Sequence, residues 1–479
     1  MKILLVEPNY KNKLPPLGLM KISTYHKSKN DEVFFTKGIN KELTKIYWDR
    51  IYISTVFTFH FQITIKTILY YKSFVSSLSD IYIGGPMATI MFEELEKIDE
   101  LKKINIIRGL IDKPGILGED DIVVDNLTPD YDMISMDKNP YLSYVYPSFD
   151  AYFLRSTHGC IRKCVFCAVP QIEPVYCDYL DIVKVKEDID SKFGEKRYMM
   201  MMDNNVLASK NIADIVEDLI KCGFGRNNKS LLVNRNGRTR KLKKIIDFNQ
   251  GLDARLLYSN RNLMSLLGKI EINPLRVAFD HANNEFVRIY SEVMRMAADE
   301  NIKSCSNYIL FNLDDTPEDL YTRLKVNIDL NNEFSDRKIQ TSIWSFPMKY
   351  TPIFGENSKD RKYVGKNWNK KFLRAIQCIL IPTHGVVGPK SSYFKHAFGG
   401  NVDEFKRILI LPEKFIINRT KSALSNEIEM FWASYDSLSM DEKYEVDIFI
   451  NDNNKRNIRK KISESMNQRI ITVLNYYIQ

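Results

Sequence analysis

The chain of 479 residues is 44% hydrophobic and 27% charged, with a formal net charge of +9. This composition is typical of globular proteins, and the length allows two or three domains with sizeable cores. No apolar run reaches the roughly 18–20 residues of a membrane-spanning helix, and the N-terminus lacks the cleavage site of a secretory signal. We therefore expect a cytoplasmic protein without membrane association.

Residues 1–145 alternate between short apolar runs and stretches with helical spacing. Strands are predicted at residues 3–6, 51–56, 81–83 and 104–107, and helices at 63–78 and 87–100. This alternation predicts a parallel sheet flanked by helices. Gly84 and Gly85 follow one of the strands, so either the backbone approaches a ligand there or they form a simple strand-to-helix turn.

The alternation resumes after a Pro- and Asp-rich linker at residues 112–146. Six strands are predicted, at residues 152–156, 197–202, 245–249, 275–279, 303–311 and 340–348. Six strands, each followed by a helical stretch, predict a partial (β/α)6 barrel over residues 146–355, with its chemistry in the loops after the strands. Residues 356–479 are predicted to form a mostly helical C-terminal extension, with helices at 368–381, 401–411 and 426–479.

Three of the seven cysteines, Cys160, Cys164 and Cys167, follow the first barrel strand with the spacing Cys-x3-Cys-x2-Cys. A disulfide framework would be spread more evenly, so this cluster indicates metal ligation in a reducing compartment. Three thiolates can hold a [4Fe–4S] cluster and leave one iron without a protein ligand. The alternative is a zinc site with His158 or Cys177 as the fourth ligand.

This motif, with Phe166 before its last cysteine, resembles the radical S-adenosylmethionine (SAM) superfamily. The segment from Leu14 to Met20 and the Gly84-Gly85-Pro86 turn resemble the Rossmann-like, cobalamin-binding-like domain that precedes the barrel in many members. The resemblance implies reductive cleavage of SAM to a deoxyadenosyl radical, which abstracts hydrogen from an unidentified substrate. It also implies a flavodoxin- or ferredoxin-like electron donor.

The resemblance further implies residues that bind SAM. Phe166 matches the position near the adenine, and Asp203 and Asn204 match the motif that binds the amino group; Asp203 could instead cap a helix. Gln250 and Asp253 are expected near the ribose or the substrate, and Arg255 pairs either with the SAM carboxylate or with Asp253. Two further contacts are expected, Asp280 at the end of the fourth strand and Asn307 within the fifth.

Cobalamin is possible but not favoured, because residues 1–145 lack the Asp-x-His-x-x-Gly signature of the lower cobalt ligand. Two other functions stay open. One is tRNA methylthiotransferase-like RNA modification, although residues 1–145 contain no cysteine for a second cluster. The other is a non-catalytic zinc or iron–sulfur protein that binds nucleic acid.

The positive charge is concentrated between Lys221 and Lys244, where nine Lys and Arg residues occur without an acid. Such a stretch is either a solvated loop or a contact surface for nucleic acid. We expect nucleic acid as a possible partner of this stretch.

Overall fold

A computed structural model describes residues 1–148, 150–178, 181–233, 239–419 and 424–478. The chain forms two compact units, one of residues 1–276 and 351–363 and the other of residues 277–350 and 364–479. Across these described ranges, no helix combines the length and the apolar character needed to cross a bilayer.

The first unit begins with a five-stranded parallel sheet in the order β2-β1-β3-β4-β5. Its elements are β1 (Lys2–Glu7), α1 (Leu17–Ser28), β2 (Glu32–Lys37), β3 (Arg50–Ser54), α2 (Phe61–Tyr71), β4 (Ile81–Gly84), α3 (Pro86–Ile90), α4 (Phe92–Glu96) and β5 (Asn105–Ile107). The predicted parallel sheet is confirmed, and β1, which lies between β2 and β3, is fully buried from Ile3 to Val6. Strand β2 was not predicted. The helix predicted at residues 87–100 is wrong as one element, because the backbone leaves helical geometry at Met91.

Gly85 has a packing role in this sheet. Its φ of 107° is unfavourable for residues with a side chain, and a Cβ there would overlap the carbonyl oxygen of Thr55. The Thr55 hydroxyl donates to the Gly84 carbonyl at 2.9 Å and accepts from the Ala88 amide at 2.8 Å. The glycine therefore permits contact between β3 and the start of α3, which supports the strand-to-helix alternative.

The rest of the first unit surrounds a three-stranded parallel sheet in the order β12-β9-β6. Its elements are β6 (Ala151–Leu154), β7 (Thr157–His158), α5 (Val169–Ile172), β8 (Cys177–Asp178), α6 (Ile182–Phe193), β9 (Tyr198–Met201), α7 (Ile212–Leu219), β10 (Ser230–Val233), β11 (Thr239–Leu242), β12 (Ile245–Phe248), α8 (Ala254–Ser259), α9 (Asn262–Leu267) and β13 (Leu275–Arg276). Strands β10 and β11 form an antiparallel hairpin inside the basic stretch, where the sequence predicted no strand.

The second unit contains two long parallel strands and a helical region. Its elements are α10 (Asn284–Asp299), β14 (Ser304–Phe311), α11 (Pro317–Asp336), β15 (Ser342–Lys349), α12 (Lys370–Leu380), α13 (Ser391–Phe398), α14 (Val402–Ile410), α15 (Glu413–Ile417), α16 (Ser425–Asp436), α17 (Met440–Asp452), α18 (Lys455–Glu464) and α19 (Gln468–Asn475). The α/β class is therefore confirmed. The closed arrangement of six strands and the boundaries near residues 145 and 355 stay predictions.

Helix α12 carries a buried cation, Lys371. Its side chain is fully buried, and its ammonium group donates to the carbonyl oxygen of Leu411. None of the ion pairs in the described ranges includes this lysine. Burial lowers the pKa of Lys371 from its ordinary value of 10.5 to about 8. Folding therefore requires the ammonium group to lose hydration or its proton.

We expect the free energy of unfolding to rise between about pH 8 and pH 10.5, because the unfolded state binds more protons than the folded state over that range. Lys371→Met should remove this pH dependence and stabilise the protein near neutral pH by about 1–3 kcal/mol. Urea unfolding near neutral pH and at high pH measures both effects. Lys370→Met is the matched control, because Lys370 is exposed and pairs with Asp452 at 2.6 Å. An unchanged pH dependence in Lys371→Met would contradict the assignment.

Candidate functional site

The loop with the three cysteines begins directly after β6 and β7, and β7 pairs with β8, which follows the loop. In this pairing Thr157 lies opposite Asp178, and His158 lies opposite Cys177. Gly159 then turns the chain with a φ of 68°, and a Cβ at this position would overlap the carbonyl oxygen of Val175. Only glycine fits here without moving the backbone that leads into the motif.

All three motif cysteines are half-buried and free of disulfides. Among the described residues, no group of three or more His, Cys, Asp or Glu side chains is arranged to hold a metal ion. A cluster at this loop would require the three thiolates to converge, as in sites that form together with their metal. Thiolate ligands suit iron–sulfur chemistry, so the residue types at the loop fit a cluster.

Asp203, at the end of β9, anchors the start of this loop. Its Oδ1 accepts the backbone N–H groups of Ser156 and Thr157 at 2.9 and 2.7 Å, and both of their hydroxyl groups at 2.8 Å. Its Oδ2 is buried and has no hydrogen-bond partner. Burial raises the pKa of Asp203, and the four hydrogen bonds offset this only in part. One oxygen thus holds the loop, and the other is left as an acceptor.

A second acceptor without a donor belongs to Asn205. Its Nδ2 lies 3.6 Å from the sulfur of Cys160, and its Oδ1 is buried without a partner. An orphaned buried acceptor calls for a donor, and an ammonium group supplies three. Asp203 and Asn205 therefore offer two acceptors that fit an ammonium group beside the first cysteine. Asn205 directly follows Asp203 and Asn204 in the sequence and was not itself predicted as a site residue.

Glu173 joins three parts of the site. Its Oε2 accepts from the Gly159 amide and from Asn204 Nδ2, both at 2.7 Å, and its Oε1 accepts from Arg155 at 2.9 Å. Burial opposes the ionisation of Glu173, but the nearby His158, the charge of Arg155 and the hydrogen bond from Gly159 outweigh it and lower its pKa. The sequence carried no signal for Glu173, because its partners come together only in the folded chain.

His158 lies between two carboxylates, at 3.8 Å from Glu173 and 3.8 Å from Asp125. Asp125 also pairs with Arg155 and, at 2.7 Å, with Lys21 of α1. Cys177 is exposed. These environments do not favour either residue as the fourth ligand of a zinc site.

Asp253 and Arg255 form an ion pair at the start of α8. Asp253 Oδ1 accepts from the backbone N–H and from Nε of Arg255, both at 3.0 Å, and its Oδ2 accepts from Arg162 at 2.7 Å. Burial opposes ionisation of Asp253, but the two arginines lower its pKa overall. Arg162 belongs to the cysteine loop, so this pair holds the loop from a second side. Of the two predicted partners of Arg255, the SAM carboxylate and Asp253, the structure shows Asp253.

Four other residues were expected to contact SAM or the substrate, and they differ in burial. Phe166 is half-buried in the loop, and Gln250 is exposed after β12. In the second unit, Asp280 is half-buried and Asn307 is fully buried. Asn307 Nδ2 donates to the Tyr290 hydroxyl at 2.7 Å, and its Oδ1 has no partner. Asn307 therefore belongs first to a buried polar network.

Comparisons with known proteins identify the fold. No protein-family model matches the chain, and no curated protein matches it. Among solved structures, the chain is similar to the cobalamin-dependent SAM radical enzyme OxsB with aqua-cobalamin bound. The identity is 12% and the TM-score 0.51, and the alignment covers 99% of this chain and 83% of OxsB. It is also similar to the radical SAM methyltransferase TsrM from Kitasatospora setae with tryptophan and a SAM analogue bound, at 12% identity and a TM-score of 0.48, over 79% of this chain and 77% of TsrM.

The alignment with OxsB spans almost the whole chain. The chain therefore has the fold of a cobalamin-dependent radical SAM enzyme. The resemblance inferred from the cysteine motif and the N-terminal segments is confirmed at the level of the fold.

Proposed function

We propose that the protein is a radical SAM enzyme that uses a [4Fe–4S] cluster held by Cys160, Cys164 and Cys167. The observation that carries this proposal is the cysteine loop anchored by Asp203 to the end of the neighbouring strand, in a fold shared with such an enzyme. When bound, the cluster supplies the electron that cleaves SAM to a deoxyadenosyl radical, which takes hydrogen from a substrate.

The chain's own residues bind and orient SAM. Asp203 Oδ2 and Asn205 Oδ1 accept hydrogen bonds from its amino group, because both oxygens are buried beside the loop without donors. Phe166 packs near the adenine, and Gln250 binds ribose or substrate. The expected contacts of Asp280 and Asn307 to SAM or substrate stay predictions.

Two carboxylates position the loop in addition to Asp203. Glu173 fixes Gly159, the residue before the first cysteine, and also holds Asn204. Asp253 holds Arg162 between the first two cysteines and pairs with Arg255. Because these carboxylates contact backbone or loop side chains, they fix geometry and need no change of protonation.

The test is SAM cleavage by protein reconstituted anaerobically with iron and sulfide and reduced by dithionite or by a flavodoxin- or ferredoxin-like donor, the partner we propose. About four irons per chain and formation of deoxyadenosine are expected. Stoichiometric zinc without deoxyadenosine would instead support the non-catalytic nucleic-acid-binding alternative. Methylthiolation of tRNA is not favoured, because residues 1–145 contain no cysteine.

The N-terminal sheet bears on the question of cobalamin. Its strand order reverses between β1 and β3, and ligands of doubly wound sheets bind at such a point. Here the buried Tyr10 stacks on His60 with ring centroids 5.5 Å apart, and its hydroxyl lies 2.5 Å from that of Thr64. Phe57 packs on the same two rings at 6.1 and 5.7 Å. Aromatic side chains of the chain itself thus line this crevice.

We therefore expect the full-length protein to bind little or no cobalamin, in contrast to the OxsB structure, which has aqua-cobalamin bound. The measurement is equilibration with excess hydroxocobalamin, followed by gel filtration and an absorption spectrum of the protein peak. The variant His60→Ala tests whether the loss of one aromatic ring from the crevice allows cobalamin to bind. A stoichiometric corrinoid spectrum with the wild type would overturn this expectation and make radical methylation the leading reaction.

A further inference from the structure

Of the nine cations in the basic stretch from Lys221 to Lys244, six of the described ones fall into two groups, and a further one, Arg226, is half-buried. Three of its lysines pair with acids that lie outside the stretch. Lys221 pairs with Asp218 at 2.8 Å and Lys243 with Glu271 at 2.6 Å. Lys244 is buried and pairs with Glu195. These lysines are neutralised within the protein and do not need an external anion.

The second group lies on and beside the β10–β11 hairpin. Lys229, Arg240 and Lys241 are exposed, and no ion pair with a carboxylate is formed by any of them within the described part of the chain. Arg235 and Arg238, which also belong to the stretch, lie outside the described residues. The described hairpin therefore has three cations without a protein counter-charge.

Two of these cations line one open groove. Lys229 and Lys241 share it with Gly223, Asn227, Asn228 and Ser230, and its volume is about 460 Å³. The lining includes no acid and offers ammonium and amide donors. Its chemistry therefore selects an oxyanion with several acceptor oxygens.

The register of the hairpin places its cations on both faces. Leu231 pairs with Lys241, and Leu232 pairs with Arg240. Because successive strand residues point to opposite faces, Lys241 and Arg240 cannot both contact the same phosphate. A ligand that uses all three free cations must present repeated anionic groups.

We propose that the β10–β11 hairpin binds the phosphodiester backbone of a nucleic acid through Lys229, Lys241 and Arg240. The contact surface is smaller than the composition of the stretch indicates, because Lys221, Lys243 and Lys244 are neutralised. This inference does not depend on the iron–sulfur cluster, so cluster-free protein is sufficient to test it.

The salt dependence of binding distinguishes a small surface from a large one. Each phosphate neutralised on a single strand contributes about 0.7 to the slope of log affinity against log salt. Three contacts predict a slope of about −2, whereas nine would predict about −6. Fluorescence anisotropy with a labelled single-stranded RNA oligonucleotide across a salt series gives this slope.

The variant Lys229→Ser/Lys241→Ser should weaken binding at low salt by about tenfold or more and reduce the slope to about −0.7. Its matched control is Lys192→Ser/Lys221→Ser, which removes the same charge from two exposed lysines that pair with Asp188 and Asp218. The control should bind like the wild type, and thermal melting should show both variants folded.

The proposal would be overturned by the absence of RNA binding by the wild type at low salt, by an equal loss in the control variant, or by a slope near −6. Competition with inorganic phosphate distinguishes a site for the phosphodiester backbone from a site for a single free phosphate. We expect inorganic phosphate to displace RNA only at concentrations at which another salt of the same ionic strength displaces RNA equally. Displacement at much lower concentrations would show a site for a single phosphate group and would also overturn the proposal.

Discussion

Replacement of any one of Cys160, Cys164 and Cys167 by alanine is expected to abolish the cleavage of SAM. With two thiolates the loop cannot hold a [4Fe–4S] cluster that needs three protein ligands and an open iron for SAM. Reconstituted variants should hold well under half of the wild-type iron and lack the broad cluster absorption. Deoxyadenosine formation under dithionite should fall by at least about 100-fold.

The matched control is Cys177→Ala. Cys177 is exposed and lies opposite His158 in the β7–β8 pairing, close in space to the motif but outside it. This variant should retain wild-type iron content and SAM cleavage. The cysteine assignment would be wrong if a motif variant kept full iron and activity, or if Cys177→Ala lost both.

The two substitutions Asp203→Ala and Asp203→Asn should have different effects, because the two oxygens of this carboxylate have different roles. Alanine removes the acceptor of four buried hydrogen bonds at the start of the cysteine loop. Each buried donor left without a partner costs about 1–3 kcal/mol. We therefore expect Asp203→Ala to be destabilised by several kcal/mol and to assemble less cluster.

Asparagine retains one carbonyl oxygen for these four donors and places an NH2 group where Oδ2 was. That group cannot accept a hydrogen bond from an ammonium group. Hydrogen bonds to charged groups contribute about 1.5–3 kcal/mol, which corresponds to about a 10- to 100-fold loss of SAM affinity. Thermal stability and iron content should stay near those of the wild type.

Equilibrium binding of SAM to the reconstituted protein, together with thermal melting, separates the two roles. If Asp203→Asn binds SAM like the wild type, Oδ2 does not contact the ligand, and Asp203 is a positioning residue alone. If Asp203→Ala melts like the wild type, the anchoring role is wrong as well.

Much of the fold was predictable because its signals are local. The thiols of Cys160, Cys164 and Cys167 lie within eight residues of one another, so their common role is visible in the sequence alone. The six strands predicted after residue 146 match β6, β9, β12, β13, β14 and β15 to within a few residues, because apolar runs of strand length alternate with helical spacing. Strand β2 was missed because its sequence, EVFFTK, forms a half-buried edge strand with a weak pattern.

The roles within the site depend on contacts between segments far apart in sequence. Asp203 binds Ser156 and Thr157, which precede it by 47 and 46 positions, and no local pattern distinguishes such an anchor from a helix cap. The same holds for the role of Glu173. It also holds for the basic stretch, in which Lys244 pairs with Glu195, 49 positions away, and Lys243 pairs with Glu271, 28 positions away. The sequence determined which side chains are present and the local elements that carry them. Only the tertiary structure decided which charges and hydrogen-bonding groups are satisfied inside the protein and which remain for a ligand, because that depends on distances set by packing.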